Sequence, residues 1–249
     1  MQLFLLDHIN NKGDEITIDN HELRNQAKKV LRLETGDVIF LQEKDTRYEI
    51  EITGLRDLKI FGKVKNTINA PSDKKQTTTM LIAMPNKREK VELIVQKLCE
   101  IGIEKIVFRP AERSVIKVWN EKKKERLMKI AKEAIEQSWG RNLPLVTFSS
   151  DINEWIKNTK LTIFDKSGNV ETLKDGNVME SFGNVSTPPQ PKASTFPLPL
   201  CGIIGPEGGL TPIDYKRFEA VKPEIRDLGD TILRMETASI IGAWILKNC

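Results

Sequence analysis

Two stretches of this chain combine reactive or ligand-binding residue types at suggestive spacing. Residues 203–212, IIGPEGGLTP, put Gly205, Gly208 and Gly209 with two prolines between a strand-like run, LCGII, and a helix start, TPIDYKRF. Glycine-rich loops that open helices bind anions through backbone N–H groups. The spacing here is neither G-x-x-x-x-G-K-[ST] nor G-x-G-x-x-G, and no lysine lies in the loop. The carboxylate of Glu207 would repel phosphate. Some other ligand approaches this backbone closely, or the glycines serve only a tight turn. The second stretch, DLGDTILRMETASIIGAWIL (227–246), sets Leu233, Arg234 and Glu236 ahead of a helix that is apolar nearly all round. Such a helix is expected to be buried on most sides. An arginine at its lip is costly unless paired, and Glu236 offers one partner.

Other arginines stand at element ends. In EAIEQSWGRNLP a helix breaks at Gly140 and presents Arg141 and Asn142, either as a recognition turn or as an ordinary C-cap ahead of Pro144. Arg113, in RPAERSVI after a strand, is a phosphate contact or a plain surface arginine. Both histidines, His8 and His21, lie near the start of the chain. Histidine-based nucleophilic catalysis and His-ligated metal are therefore excluded from anything built after residue 21. Chemistry there must run on Arg, Lys, Asp, Glu, hydroxyls and backbone.

The elements that must position these residues change character near residue 70. Residues 1–70 read as short strands, MQLFLL, DEITID, GDVIFLQ, YEIEITGL and KIFGKVK, with one helix through HELRNQAKKVLRL capped by Asn20. That pattern predicts a small β-barrel of the kind that docks RNA. NAPSDKKQ (69–76) reads as a linker. From residue 74 strands alternate with helices, which predicts βαβ units and a parallel sheet. TTTMLIAM is a buried strand. Asn86 and Glu89 predict a capping box, and Gly102 the C-cap of the helix between. EKIVFR is a strand, a second helix starts near Asn120, and LPLVTF, DINEWIKN and LTIFD follow. Ligands of such sheets bind at the carboxyl ends of strands, which is where the loop after LCGII lies. Thr211, Pro212 and Asp214 have the types and spacing of a helix start. Residues 176–199 carry five prolines without periodicity, which predicts a disordered insert.

Composition is that of a soluble globular chain, 30% charged and 39% hydrophobic. The longest apolar run, ASIIGAWIL, is too short to span a bilayer, and MQLFLLDHINNK lacks the basic region of a signal peptide. Cys99, Cys201 and Cys249 are widely spaced and match no zinc pattern, which suits a reducing compartment such as the cytoplasm. The net charge of +4 is uneven. Residues 73–173 hold 20 basic and 14 acidic side chains, while the segments on either side are each one charge negative. That is a mild footprint for a polyanion, or a solvated lysine-rich face.

IGPEGGLTPIDYKRFE together with LGDTILRMETASI resembles the paired C-terminal signature of the RsmE family. MPNKREKVELIVQKLCEIGI, RPAERSVI, EAIEQS with Arg141, and VLRLETGDVI support the likeness, which covers nearly the whole chain. Trp139 adds a residue between Ser138 and Gly140 relative to the family pattern. The resemblance implies methylation of N3 of a uridine in 16S ribosomal RNA with S-adenosylmethionine and no metal. It implies a PUA-like barrel (1–70) followed by a SPOUT domain (74–249) with a trefoil knot, in a cytoplasmic homodimer that acts on ribosomal RNA or the small ribosomal subunit. It places the cofactor on Ile204, Gly205, Glu207, Gly208, Gly209, Leu228, Gly229, Ile232 and Leu233. It puts Arg234 and Glu236 at the reacting centre, and RNA on Arg113, Arg141 and Asn142. The glycines are then explained as leaving room for the cofactor against the backbone. The rival readings are another knotted methyltransferase acting on tRNA or a ribose 2′-hydroxyl, and an RNA-binding protein without activity.

Overall fold

The computed structural model describes residues 2–56, 59–69, 76–117, 121–166 and 198–248. Most of the expected linker, the helix start at Asn120, and residues 176–197 of the expected insert lie outside the described residues. By packing, the chain divides into two units, one of residues 1–73 with 132–143 and one of residues 74–131 with 144–249.

The first unit holds β1 (Leu3–Leu5), β2 (Asn10–Lys12), β3 (Glu15–Ile18), α1 (His21–Asn25), β4 (Val38–Glu43), β5 (Thr46–Arg56) and β6 (Lys59–Asn69). They form one sheet in the order β1-β4-β5-β6-β3-β2, parallel only between β1 and β4. The alternation of Ile16 with Ile18, Ile39 with Leu41 and Ile50 with Ile52 sends all six side chains to one buried core. Asn20 caps α1 as expected, its Oδ1 accepting from the Leu23 N–H at 2.9 Å. The helix is shorter than its pattern and relaxes into a π turn over Gln26–Val30. Strand β2 carries no apolar residue and all of it is exposed, so periodicity does not reveal it.

The second unit is α/β. β7 (Thr78–Ala83), α2 (Arg88–Ile101), β8 (Lys105–Arg109), α3 (Glu121–Ser138, whose last turns belong to the first unit), β9 (Leu145–Phe148) and α4 (Asn153–Ile156) come first. β10 (Lys160–Phe164), β11 (Leu200–Ile204), α5 (Pro212–Lys216), β12 (Glu224–Arg226) and α6 (Met235–Asn248) complete it. Its six strands are all parallel, in the order β12-β10-β11-β7-β8-β9. Strands β7 and β8 are buried on both faces, which is why TTMLIA and KIVFR read as continuous apolar runs. The chain runs outward through β7, β8 and β9, then returns to place β11 between β10 and β7. The carboxyl ends of β11 and β7 therefore flank a topological switch point, where open parallel sheets bind ligands.

Two local expectations fail here. Asn86 and Glu89 form no capping box. Lys87 is the N-cap of α2, without a side-chain acceptor, and the Asn86 N–H goes to Glu207 instead. Helix α6 is not buried on most sides. Met235, Ser239, Gly242, Ala243 and Leu246 face the unit's interior, whereas Trp244 is 58% exposed. No helix among the described residues is long and apolar enough to cross a membrane.

Candidate active site

A cleft of about 760 Å³ opens where the loop after β11, the loop after β12 and the first turns of α2 and α6 meet. Its size lies within the roughly 300–1,000 Å³ of small-molecule sites. The structure brings together there eight of the nine residues expected to hold the cofactor, all but Gly229, with Arg234 and Glu236 beside them. Arg113, Arg141 and Asn142 do not line it.

The loop after β11 is locked from several directions. Thr211 and Asp214 form a complete capping box at the start of α5. The Gly209 N–H donates to Pro206 O at 2.9 Å. Asp214 is fully buried and lies 3.7 Å from Arg109, itself fully buried at the end of β8 and stacked over Phe218. Burial, partly offset by the Asp214 charge, lowers the Arg109 pKa. Glu207 receives Lys90 Nζ at 2.7 Å and the Asn86 N–H at 3.3 Å. Burial pushes the Glu207 carboxyl up, but the hydrogen bonds from Lys90 and from backbone N–H groups outweigh it and hold the group below the usual carboxylate range.

The glycines also have neighbours within the protein itself. A Cβ on Gly208 would sit 3.2 Å from Cδ of Arg113, whose Nη1 donates to Gly208 O at 2.6 Å. A Cβ on Gly205 would sit 3.0 Å from Cγ of Leu210. At both positions a side chain would meet the protein's own packing. Gly229 is required by its backbone, at φ +121° with open space around it.

The second loop reverses two further expectations. The Arg234 side chain is exposed and, among the described residues, makes no hydrogen bond or ion pair. Glu236 turns instead to Lys90, at 3.8 Å, and its Oε2 is buried without a hydrogen bond. Lys90 thus stands between Glu207 and Glu236, a cation tying α2 to both loops. It was missed in the sequence, where it sits in the dense charge run NKREK without a distinguishing neighbour. Asp165 was also missed. At the end of β10 it lines the cleft and accepts from the Tyr215 hydroxyl. Burial, then this carboxylate, raises the Tyr215 pKa.

Arg141 lies in the first unit, at the turn that closes α3. Trp139 takes the left-handed conformation, at φ +58°, and packs edge-on against Phe40 with centroids 4.8 Å apart. Arg47 stacks over Trp139, and Gln42 donates to the Arg141 carbonyl. The added tryptophan therefore anchors the turn, leaving Arg141 and Asn142 exposed. Cys99 and Cys201 are buried free thiols pushed up to about 12 by burial, outside the reactive range.

Residues 72–247 match the family described as the RNA methyltransferase domain, and the chain belongs to that family. The resemblance to the RsmE methyltransferases read from its motifs is borne out. The chain is 35% identical over 159 residues to the ribosomal RNA small subunit methyltransferase E of Bacillus subtilis, a match spanning 62% of this chain and 59% of that protein. The protein of the same name from Mesomycoplasma hyopneumoniae is 25% identical over 97% of this chain and 96% of its own length. In fold, the chain resembles the S-adenosylmethionine-bound methyltransferase E of Neisseria gonorrhoeae, with a TM-score of 0.75 at 20% identity, over 99% of this chain and 97% of the other.

Proposed function

We propose that this chain is an RsmE-type enzyme that methylates N3 of a uridine in 16S ribosomal RNA, using S-adenosylmethionine. The observation that carries the reading is the convergence of the loops 205–211 and 227–234 on one cleft at the switch point of a parallel sheet. The cleft fits a cationic cofactor. Its carboxylates, Glu207 and Glu236, would oppose a phosphate, and one of its three lysines, Lys90, is engaged by both. Ile204, Gly205, Gly208, Gly209, Leu228 and Gly229 would hold the cofactor largely through backbone, with Ile232 and Leu233 closing over it.

When bound, S-adenosylmethionine supplies a methyl carbon already activated by its sulfonium. The chain's own residues align and polarise the uridine. As its N3 proton leaves to water, negative charge spreads to O2 and O4. Arg234 has its guanidinium unspent on protein partners and is the donor suited to that charge. Glu236, through Lys90, holds the start of α6 that carries Arg234. No histidine is needed for any of these roles.

The finer architecture proposed with this function is a PUA-like barrel for the first unit and a trefoil knot for the second. The insertion of β11 between β10 and β7 supports the knot. The enzyme works as a cytoplasmic homodimer on rRNA or the small subunit. Trp244, with Ile240, Ile241 and Ile245 only partly covered, supports a partner subunit on α6. Exposed Arg113, Arg141 and Asn142 are the proposed RNA contacts. The test is nucleoside mass spectrometry of small-subunit ribosomal RNA incubated with the purified protein and S-adenosylmethionine. N3-methyluridine is expected. A 2′-O-methyl nucleoside, or no methylated nucleoside, would overturn the assignment.

A further inference from the structure

Beside the cleft, a second pocket of about 250 Å³ lies between the start of α2, the loop after β8 and the first half of α3. Its floor is apolar, built from Met84, Pro85, Val91, Ile116 and Leu127. Its rim is cationic, with Lys87, Arg88, Lys123 and Arg126 against a single acid, Glu92. That acid does not cancel the rim but organises it. Glu92 Oε1 accepts from Arg88 Nε and from Arg126 Nε, each at 2.6 Å, and its Oε2 from Arg126 Nη2 at 3.1 Å. One carboxylate on α2 therefore splints guanidiniums from two helices, leaving both Arg88 Nη atoms and Arg126 Nη1 without an acceptor among the described residues. The two arginines in turn hold the Glu92 carboxyl down to about 2, so the splint stays charged across physiological pH. The first turn of α2, a helix of 14 residues, adds backbone N–H groups at the same place, since its N-cap Lys87 supplies no side-chain acceptor. Lys87 lines both this pocket and the cleft.

We propose that this pocket receives a nucleotide of the single-stranded RNA substrate next to the target, its base on the apolar floor and its phosphate on the rim. The proposal rests on the RNA methyltransferase reading above. The volume falls just under the roughly 300–1,000 Å³ of whole-ligand sites, which suits one base and not a second cofactor. A free phosphate would gain nothing from the floor, and a neutral apolar side chain nothing from the rim; a nucleotide uses both. Because Lys87 belongs to both cavities, a nucleotide seated here is held one step from the cleft. It would orient the strand by its backbone and one flanking base.

The experiment uses the full chain with saturating S-adenosylmethionine and a short oligouridylate, with an oligoglutamate of equal length as control. Lys123→Glu reverses an exposed rim charge, and Ile116→Asp puts charge on the floor. Both variants should bind S-adenosylmethionine like the wild type by calorimetry. Both should bind the oligouridylate at least tenfold more weakly by fluorescence anisotropy, and Lys123→Glu should also lower the log–log salt slope by about one. A wild type that does not bind the oligouridylate, or variants that bind it within twofold of wild type, would overturn the pocket. So would oligoglutamate binding as tightly as RNA, which would make the rim a general anion trap. Failure of the wild type to bind S-adenosylmethionine would instead remove the functional reading, and the calorimetry reports that separately.

Discussion

The two loops that form the cleft are held in opposite ways. The loop after β11 is fastened by a capping box, a buried ion pair behind it, the Lys90 bridge to Glu207 and the Arg113 bond to Gly208. The loop after β12 has an Asp227 hydrogen bond to the Gly229 N–H and a Lys166 hydrogen bond to Asp230 O, and it leaves Ile232 88% exposed. The difference implies a division of labour. One wall is pre-organised, which lowers the ordering cost of binding. On the proposed function, the other would settle when ligand arrives and carry Arg234 with it, as closing elements of active sites do. Substitutions in the first wall should therefore be felt in stability and cofactor affinity, and Arg234 in the second in rate.

The largest expected effect breaks the fastened wall. Asp214→Ala leaves Arg109 buried without a counter-charge, a loss of roughly 3–5 kcal/mol. For a chain of this size that is a fall in Tm on the order of 10 °C. A Tm within about 3 °C of wild type would show that the pair does not hold the loop.

The next breaks the other wall. Arg234→Ala removes an exposed, unpartnered guanidinium, so its Tm should stay near wild type and cofactor affinity should be retained. Single-turnover methylation should fall by about 10²–10³, the usual loss for one preorganised donor. A collapsed melt would return Arg234 to a structural role. A normal melt with a normal rate would leave it with neither.

A third substitution sharpens the comparison. Gly208→Val should weaken S-adenosylmethionine binding about tenfold, because Arg113 must move from its 3.2 Å approach, and coupled neighbours interact by about 0.5–3 kcal/mol. If Arg113 is what the new side chain meets, Arg113→Ala in the same chain restores part of the affinity. If the double variant binds as weakly as the single, the side chain meets the ligand and the wall is less self-contained than its contacts show.

The two walls also differ in how far the sequence disclosed them. Local signals served the fastened wall: Thr211, Pro212 and Asp214 form the cap their spacing predicts, although Asn86 and Glu89 do not, and strands such as TTMLIA are legible because a parallel sheet buries both faces. The glycine loops are legible, but the packing on Gly208 is hidden. It depends on Arg113, 95 residues away in the chain. Lys90 and Asp165 were hidden for the same cause, since each matters through partners on other elements. The sequence predicts a paired Arg234 because α6 reads as apolar nearly all round. Composition cannot tell a helix sunk in a core from one with a half-covered face.

The smallest expected effect concerns Glu207, the acidic anchor of the fastened wall. Its folded pKa is depressed, by hydrogen bonds from Lys90 and the backbone that outweigh its burial. The unfolded chain therefore binds more protons as the pH drops below the ordinary glutamate value of about 4.3. Stability drawn from Glu207 is thus fully present above that value and is lost as the pH falls through the folded pKa. The side chain is 30% exposed, so solvent screening limits the pair to less than about 1 kcal/mol. Glu207→Gln keeps the shape and removes the charge. Its Tm should lie slightly below wild type at pH 7, and the gap should close as both proteins are melted at successively lower pH down to 3. Cofactor affinity at pH 7 should fall in step, because the charge holds the wall against α2 before any ligand arrives. A gap in Tm that stays constant through the acid range would mean that the Lys90 bridge does not help hold the wall.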